Sequence, residues 1–170
     1  MAYIGTNELY LMTAFSCMAC DGITAEELEL VKQYANSSTI CKGLDIESKL
    51  NKYVGEINDQ GQSFLSNYIN TIANTQLSEK EELNLARIAI KMIEAGNKIE
   101  YSEISFFKRI RSKLKITDDK LLDIFKDEVL FEKFPEVEPE DFLLPDIIVD
   151  EMEWNVCIEH RKHTLLRGGD

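Results

Sequence analysis

The chain has 170 residues, enough for one domain that buries roughly two-thirds of its unfolded surface. Its 31 acidic against 19 basic side chains leave a net charge of −12, which argues against a general nucleic-acid binder, because phosphate contacts need an excess of Lys and Arg. Three prolines and eight glycines leave room for long helices, and strand-like alternation is scarce.

The first helix is expected from about Asn7 to Cys20, where Leu11, Ala14, Phe15 and Met18 recur at helical spacing. Gly22 ends it, because glycine takes the left-handed conformation at little cost. Thr24, with Glu27 three residues later, forms a capping box for a second helix, whose apolar face is Leu28, Val31 and Tyr34; Asn36-Ser37-Ser38 breaks the pattern. A middle helix starts near Asp45 with Ile46, Leu50, Tyr53, Val54 and Ile57 on one stripe. Asn58-Asp59-Gln60-Gly61 interrupts it, and Phe64, Leu65, Tyr68, Ile69 and Ile72 carry the next. Ser78 with Glu81 is a second capping box, opening a long helix through Leu85, Ile88, Ala89, Met92 and Ile93. The helix after that carries Ile104, Phe107, Ile110 and Leu114, and Thr117 caps one more with Leu121, Leu122, Phe125 and Val129 inside.

Pro135, Pro139 and Pro145 mark a change of regime. From Pro135 onward ten acidic side chains face three basic ones, a net of −7. Phe142, Leu143, Leu144, Ile147, Ile148, Val149 and Trp154 are too many apolar residues for a purely solvated tail. The expected fold is therefore an all-α bundle of six to eight helices over residues 1–134, followed by an acidic, partly docked tail over 135–170.

A helix–turn–helix pattern occurs twice within that bundle. Upstream of the turns an offset of 75 residues pairs Ala14 with Ala89, Phe15 with Ile90 and Met18 with Ile93. Downstream the offset is 76, because Lys98 is extra, and it pairs Ile23 with Ile99, Leu28 with Ile104 and Val31 with Phe107. The first turn reads Ala19-Cys20-Asp21-Gly22-Ile23-Thr24-Ala25-Glu26-Glu27. The second, Gly96-Asn97-Lys98-Ile99-Glu100-Tyr101-Ser102-Glu103, has lost the Asp-Gly pair.

The first turn resembles the TerB family, helical domains named for bacterial tellurite resistance that are also similar to the N-terminal domain of a membrane-anchored DnaJ-type co-chaperone. The family pattern is Ala-Asp-Gly, an acidic residue, an apolar residue, Ser or Thr, and a Glu pair opening the next helix. This chain lacks the acidic residue after Gly22, so one ligand of the family pattern is missing. The resemblance covers roughly Leu9 to Leu122 and none of the tail. It implies an all-helical bundle with an acidic surface suited to a divalent cation, acting in stress or phage-defence complexes without enzymatic activity. Asp21, Glu26 and Glu27 are then the candidate metal residues. The residues themselves leave a second reading open, in which Asp21 accepts backbone N–H groups as an Asx-turn.

Four other features compete for a role. Cys17 and Cys20 form a CxxC at a helix C-terminus, where the dipole opposes a reactive thiolate, so buried packing is the expectation. Cys157, His160 and His163 lie within seven residues but fit no standard zinc spacing. The only basic run, Lys108 to Lys115, is either a solvated helix flank or a dock for the acidic tail or for a partner. Lys108, Arg111 and Lys115 of this run, with Phe142 and Trp154 of the tail, are the candidate partner-binding residues. Finally, Leu165-Leu166-Arg167-Gly168-Gly169-Asp170 resembles the conjugated end of ubiquitin-like proteins, apart from the trailing Asp170.

These features lead to the expectation of a non-enzymatic, TerB-like interaction or scaffold protein with a protein partner. The alternatives are a divalent-metal-binding sensor, and an adaptor or substrate of a ubiquitin-like conjugation pathway. The apolar stretch Leu9–Cys20 is too short to span a bilayer and lacks a basic flank, so a cytoplasmic protein is expected.

Overall fold

In the computed structural model, residues 5–143 are described, apart from 21, 97, 98, 127, 129, 136 and 137. The helices are α1 (Thr6–Ala19), α2 (Ala25–Ser37), α3 (Ile46–Gln60), α4 (Gln62–Asn74), α5 (Glu79–Glu94), α6 (Tyr101–Arg111), α7 (Asp118–Phe125) and the single turn α8 (Leu130–Lys133). Short 3-10 turns occur at Thr39–Cys41 and Pro139–Phe142. Among the described residues there is no β-strand, only an isolated bridge between Cys20 and Gly22. The expected all-α bundle is the fold observed.

Capping chemistry sets the helix starts. The Thr24 hydroxyl accepts the Glu27 N–H (3.1 Å) while the Glu27 carboxylate accepts the Thr24 N–H (2.9 Å). Ser78 and Glu81 repeat the reciprocal pair at 3.2 and 2.8 Å. Asp45 accepts the Ser48 N–H and Thr117 the Lys120 N–H, at 3.1 and 3.4 Å. Each cap satisfies amides that the first helical turn leaves without a partner. Gly61, at φ +58°, separates α3 from α4, a conformation that a residue with a Cβ adopts at a cost. The sequence pattern extends α6 to Leu114, but the helix stops at Arg111, and Leu114 is buried from the following loop.

The centre of the molecule is α1. Ten of its fourteen residues are buried, and α2, α3, α4, α5 and α6 all pack against it. A helix apolar on nearly every side has to be surrounded in this way. Its Phe15 joins Tyr53 and Phe64 in an aromatic cluster with centroids 5.6 Å apart, and the Tyr68 hydroxyl donates to Thr13 Oγ1 at 2.6 Å in the interior.

The relation between α1 and α5 gives the duplication a geometry. Thr6 Oγ1 donates to Glu81 Oε2 (3.2 Å), and Asn84 Nδ2 donates to the Tyr10 hydroxyl (3.4 Å). The partners are 75 and 74 residues apart, which matches the sequence offset, so the two helices run parallel. Their burial agrees as well: Ala14, Ala89, Phe15, Ile90, Met18 and Ile93 all belong to the core, as do Val31 and Phe107 downstream. Parallel helices of similar length place both turns at one end of the bundle.

The C-terminal part of the described chain wraps the second unit. Pro139–Phe142 packs on α6 and α7, and Phe142 is fully buried, its ring 5.5 Å from Phe107 and 6.1 Å from Phe125. Earlier in this part, Lys133 Nζ donates to the Glu94 and Gly96 carbonyls at 3.0 and 2.9 Å, a cation at the negative end of the α5 dipole.

Candidate functional site

Two turns define the end of the bundle where α1 and α5 finish. In the first, the Gly22 N–H closes on the Ala19 carbonyl at 3.0 Å, and Gly22 sits at φ +104°, the left-handed region that favours glycine. The side chains of Ile23 and Glu27 are half-buried and that of Glu26 is exposed. Asp21 lies outside the described residues. Glu27 is already held by the Thr24 amide, which leaves Glu26 as the described carboxylate that faces solvent here. Among the described residues, no group of three or more His, Cys, Asp or Glu side chains is arranged to hold a metal ion.

In the second turn the Gly96 N–H closes on the Ile93 carbonyl at 3.2 Å. The Glu103 carboxylate accepts the Glu100 N–H at 2.8 Å, the bond that Glu27 makes 76 residues earlier. The second turn has therefore lost the Asp-Gly pair but kept the capping carboxylate. Glu103 is buried and lies close enough to Cys17 to help burial raise the Cys17 thiol pKa well above its ordinary value. Next to it, Tyr101 is the exposed large hydrophobic residue among those described, at 42%. Sequence reasoning missed Tyr101, because it falls one turn before Ile104 on the apolar stripe. Spacing alone does not mark where a stripe outruns the core.

Neither CxxC thiol is joined in a disulfide; Cys17 is buried and Cys20 half-buried, and Cys20 Sγ donates to the Cys17 carbonyl at 3.4 Å. That bond is local helix-end packing, in keeping with thiols at a helix C-terminus. Cys157, His160, His163, Trp154 and the Leu-Arg-Gly-Gly end lie outside the described residues.

The basic flank is partly committed within the chain. Arg111 pairs with Asp118 and donates to the Leu114 carbonyl, while the Arg109 guanidinium lies 5.9 Å from the Phe106 ring centroid. Lys108 is half-buried; Lys113 and Lys115 are exposed. Phe142 is a core residue of the bundle itself.

Two charged groups that periodicity could not reveal tie helices together. Glu128 is 6% exposed and pairs with Lys91 Nζ (3.0 Å), with Arg87 Nε 3.9 Å away. Glu8 accepts from Lys49 Nζ (3.3 Å) and from the Tyr53 hydroxyl (3.2 Å). Glu8 also lines an open groove of about 720 Å³ with Met12, Lys52, Tyr53, Glu56 and Phe64. Burial, and then the Glu8 charge, push the Tyr53 phenol pKa upward, so its proton stays on this bond.

No helix among the described residues is long and apolar enough to cross a membrane. Comparison of the chain with family models, curated proteins and solved structures gives no match.

Proposed function

We propose that this chain is a TerB-like, non-enzymatic scaffold of a bacterial stress-response or phage-defence complex, engaging a protein partner through the end of the bundle that carries both turns. The observation that carries the reading is the parallel pairing of α1 and α5, which brings Gly22 of the first turn and the divergent second turn to one end. That end offers an exposed aromatic side chain, Tyr101, and an exposed carboxylate, Glu26. Aromatic anchors with polar surroundings are the usual composition of a protein-binding patch. The duplication supports the same division of labour, with one turn keeping the polar family pattern while its counterpart diverged.

The test is affinity capture of the tagged protein from its native host, with Asp21→Ala/Glu26→Ala and Tyr101→Ser variants compared with wild type. The expected result is a partner retained by wild type and lost by both variants, at unchanged melting temperature. A partner captured equally by all three refutes the assignment of this end as the binding surface.

A further inference from the structure

We propose that residues 144–159 dock in cis on the basic flank formed by α6 and the loop after it, with Phe142 as the anchor from which they start. This inference is independent of the surface assigned to the two turns. The first observation is where the described chain ends. Pro139–Phe142 already packs on α6 and α7, and Phe142 is buried between Phe107 and Phe125. The described chain therefore ends on the α6 face, at Phe142 and Leu143.

Charge supplies the second observation. Lys108 to Lys115 holds Lys108, Arg109, Arg111, Lys113 and Lys115 with no acidic residue. Leu144 to Glu159 holds Asp146, Asp150, Glu151, Glu153 and Glu159 with no Lys or Arg. Arg111 is spent on Asp118 and Leu114, and Arg109 lies over Phe106. The exposed ammonium groups of Lys113 and Lys115 are the ones presented to an acidic segment.

Reach agrees with both. Phe107 lies about 6 Å along the helix axis from Arg111 at a rise of ~1.5 Å per residue, and Lys113 follows two residues later. An extended chain gains about 3.3 Å per residue, so Asp146, three residues past Leu143, already covers that distance. Ile147, Ile148, Val149 and Trp154 give the segment an apolar content that a fully solvated strand of chain would not support.

The experiment is zero-length carbodiimide coupling of the full chain at low ionic strength, with links mapped by mass spectrometry in the monomer band. Chymotryptic cleavage after Trp154 is timed in parallel. The expected links join Lys113 or Lys115 to Asp146, Asp150, Glu151 or Glu153 and disappear at high salt. Lys113→Gln/Lys115→Gln should speed cleavage about two- to thirty-fold, the range given by two exposed ion pairs. Lys113→Glu/Lys115→Glu combined with Asp150→Lys/Glu151→Lys should restore the slow rate. Links found only between chains, links to other lysines, or cleavage unaffected by the Lys113 and Lys115 substitutions would overturn the proposal.

Discussion

Glu82 offers the sharpest test of how the second unit is held together. It lies on α5, is 4% exposed, and its Oε1 accepts the backbone N–H groups of both Lys115 (2.8 Å) and Ile116 (3.0 Å) in the loop between α6 and α7. One carboxylate oxygen thus fixes the path of the chain between two helices. Glu82→Ala leaves both amides without an acceptor, in a place where Ile116 itself is buried. Hydrogen bonds to a charged acceptor contribute about 1.5–3 kcal/mol each, and relief of the carboxylate's desolvation offsets part of that sum. A net loss of about 3 kcal/mol is expected, which lowers the Tm of a chain this size by roughly 6–12 °C. Glu82→Gln keeps an acceptor oxygen and should lose about half as much. Urea unfolding reads the change as a lower midpoint at constant slope, and hydrogen exchange should quicken specifically at the Lys115 and Ile116 amides. A Glu82→Ala protein within about 0.5 kcal/mol of wild type, the range of an ordinary surface substitution, would refute the reasoning.

Three further outcomes follow from the same structure. Phe142→Ala removes a fully buried ring from the Phe107–Phe125 cluster and should cost about 3–5 kcal/mol; an unchanged denaturation midpoint would show that the Pro139–Phe142 turn adds nothing to the core. Burial raises the Cys17 pKa and pushes Cys41 up to about 11, so iodoacetamide at pH 8 should leave both unmodified until denaturant is added. Rapid native alkylation of either would contradict the packing. The Ser78 N–H bonded to the Glu81 carboxylate lowers the Glu81 pKa. Its contribution to stability is therefore present above the ordinary glutamate range and lost as pH falls through the depressed folded value. The effect is small for so exposed a cap. Glu81→Gln should flatten the acid limb of the stability–pH curve, and an identical slope in both proteins would count against the cap.

The Thr24–Glu27 and Ser78–Glu81 boxes were readable in the sequence because capping is local, needing only the right residue types three positions apart. The duplication was legible for a related reason: an offset of 75 survives as matched apolar positions. The second capping carboxylate, Glu103, was harder to find because its N-cap position holds Glu100 instead of Ser, Thr, Asp or Asn. Glu82, Glu128 and Glu8 were not legible at all. Each is an acidic residue whose partner lies on another element, tens of positions away, and no spacing rule brings Glu82 to Ile116 or Glu8 to Tyr53. The exposed end of the candidate surface was hidden differently. Tyr101 follows the helical stripe, and only the length of the neighbouring helices decides whether a stripe residue meets the core or the solvent.

The parallel pairing of α1 and α5 also fixes an order of events during synthesis. Parallel helices cannot be joined by a tight turn, so α2, α3 and α4 carry the chain back before α5 begins. α1 is made before α5 and is apolar on nearly all sides, yet its main neighbour lies about 75 residues behind it. At ~5–20 residues per second, that interval lasts roughly 4–15 s. Throughout it Leu9, Leu11, Phe15 and Met18 have only α2 to α4 for cover, so the face of α1 that α5 later buries stays in water until α5 is made.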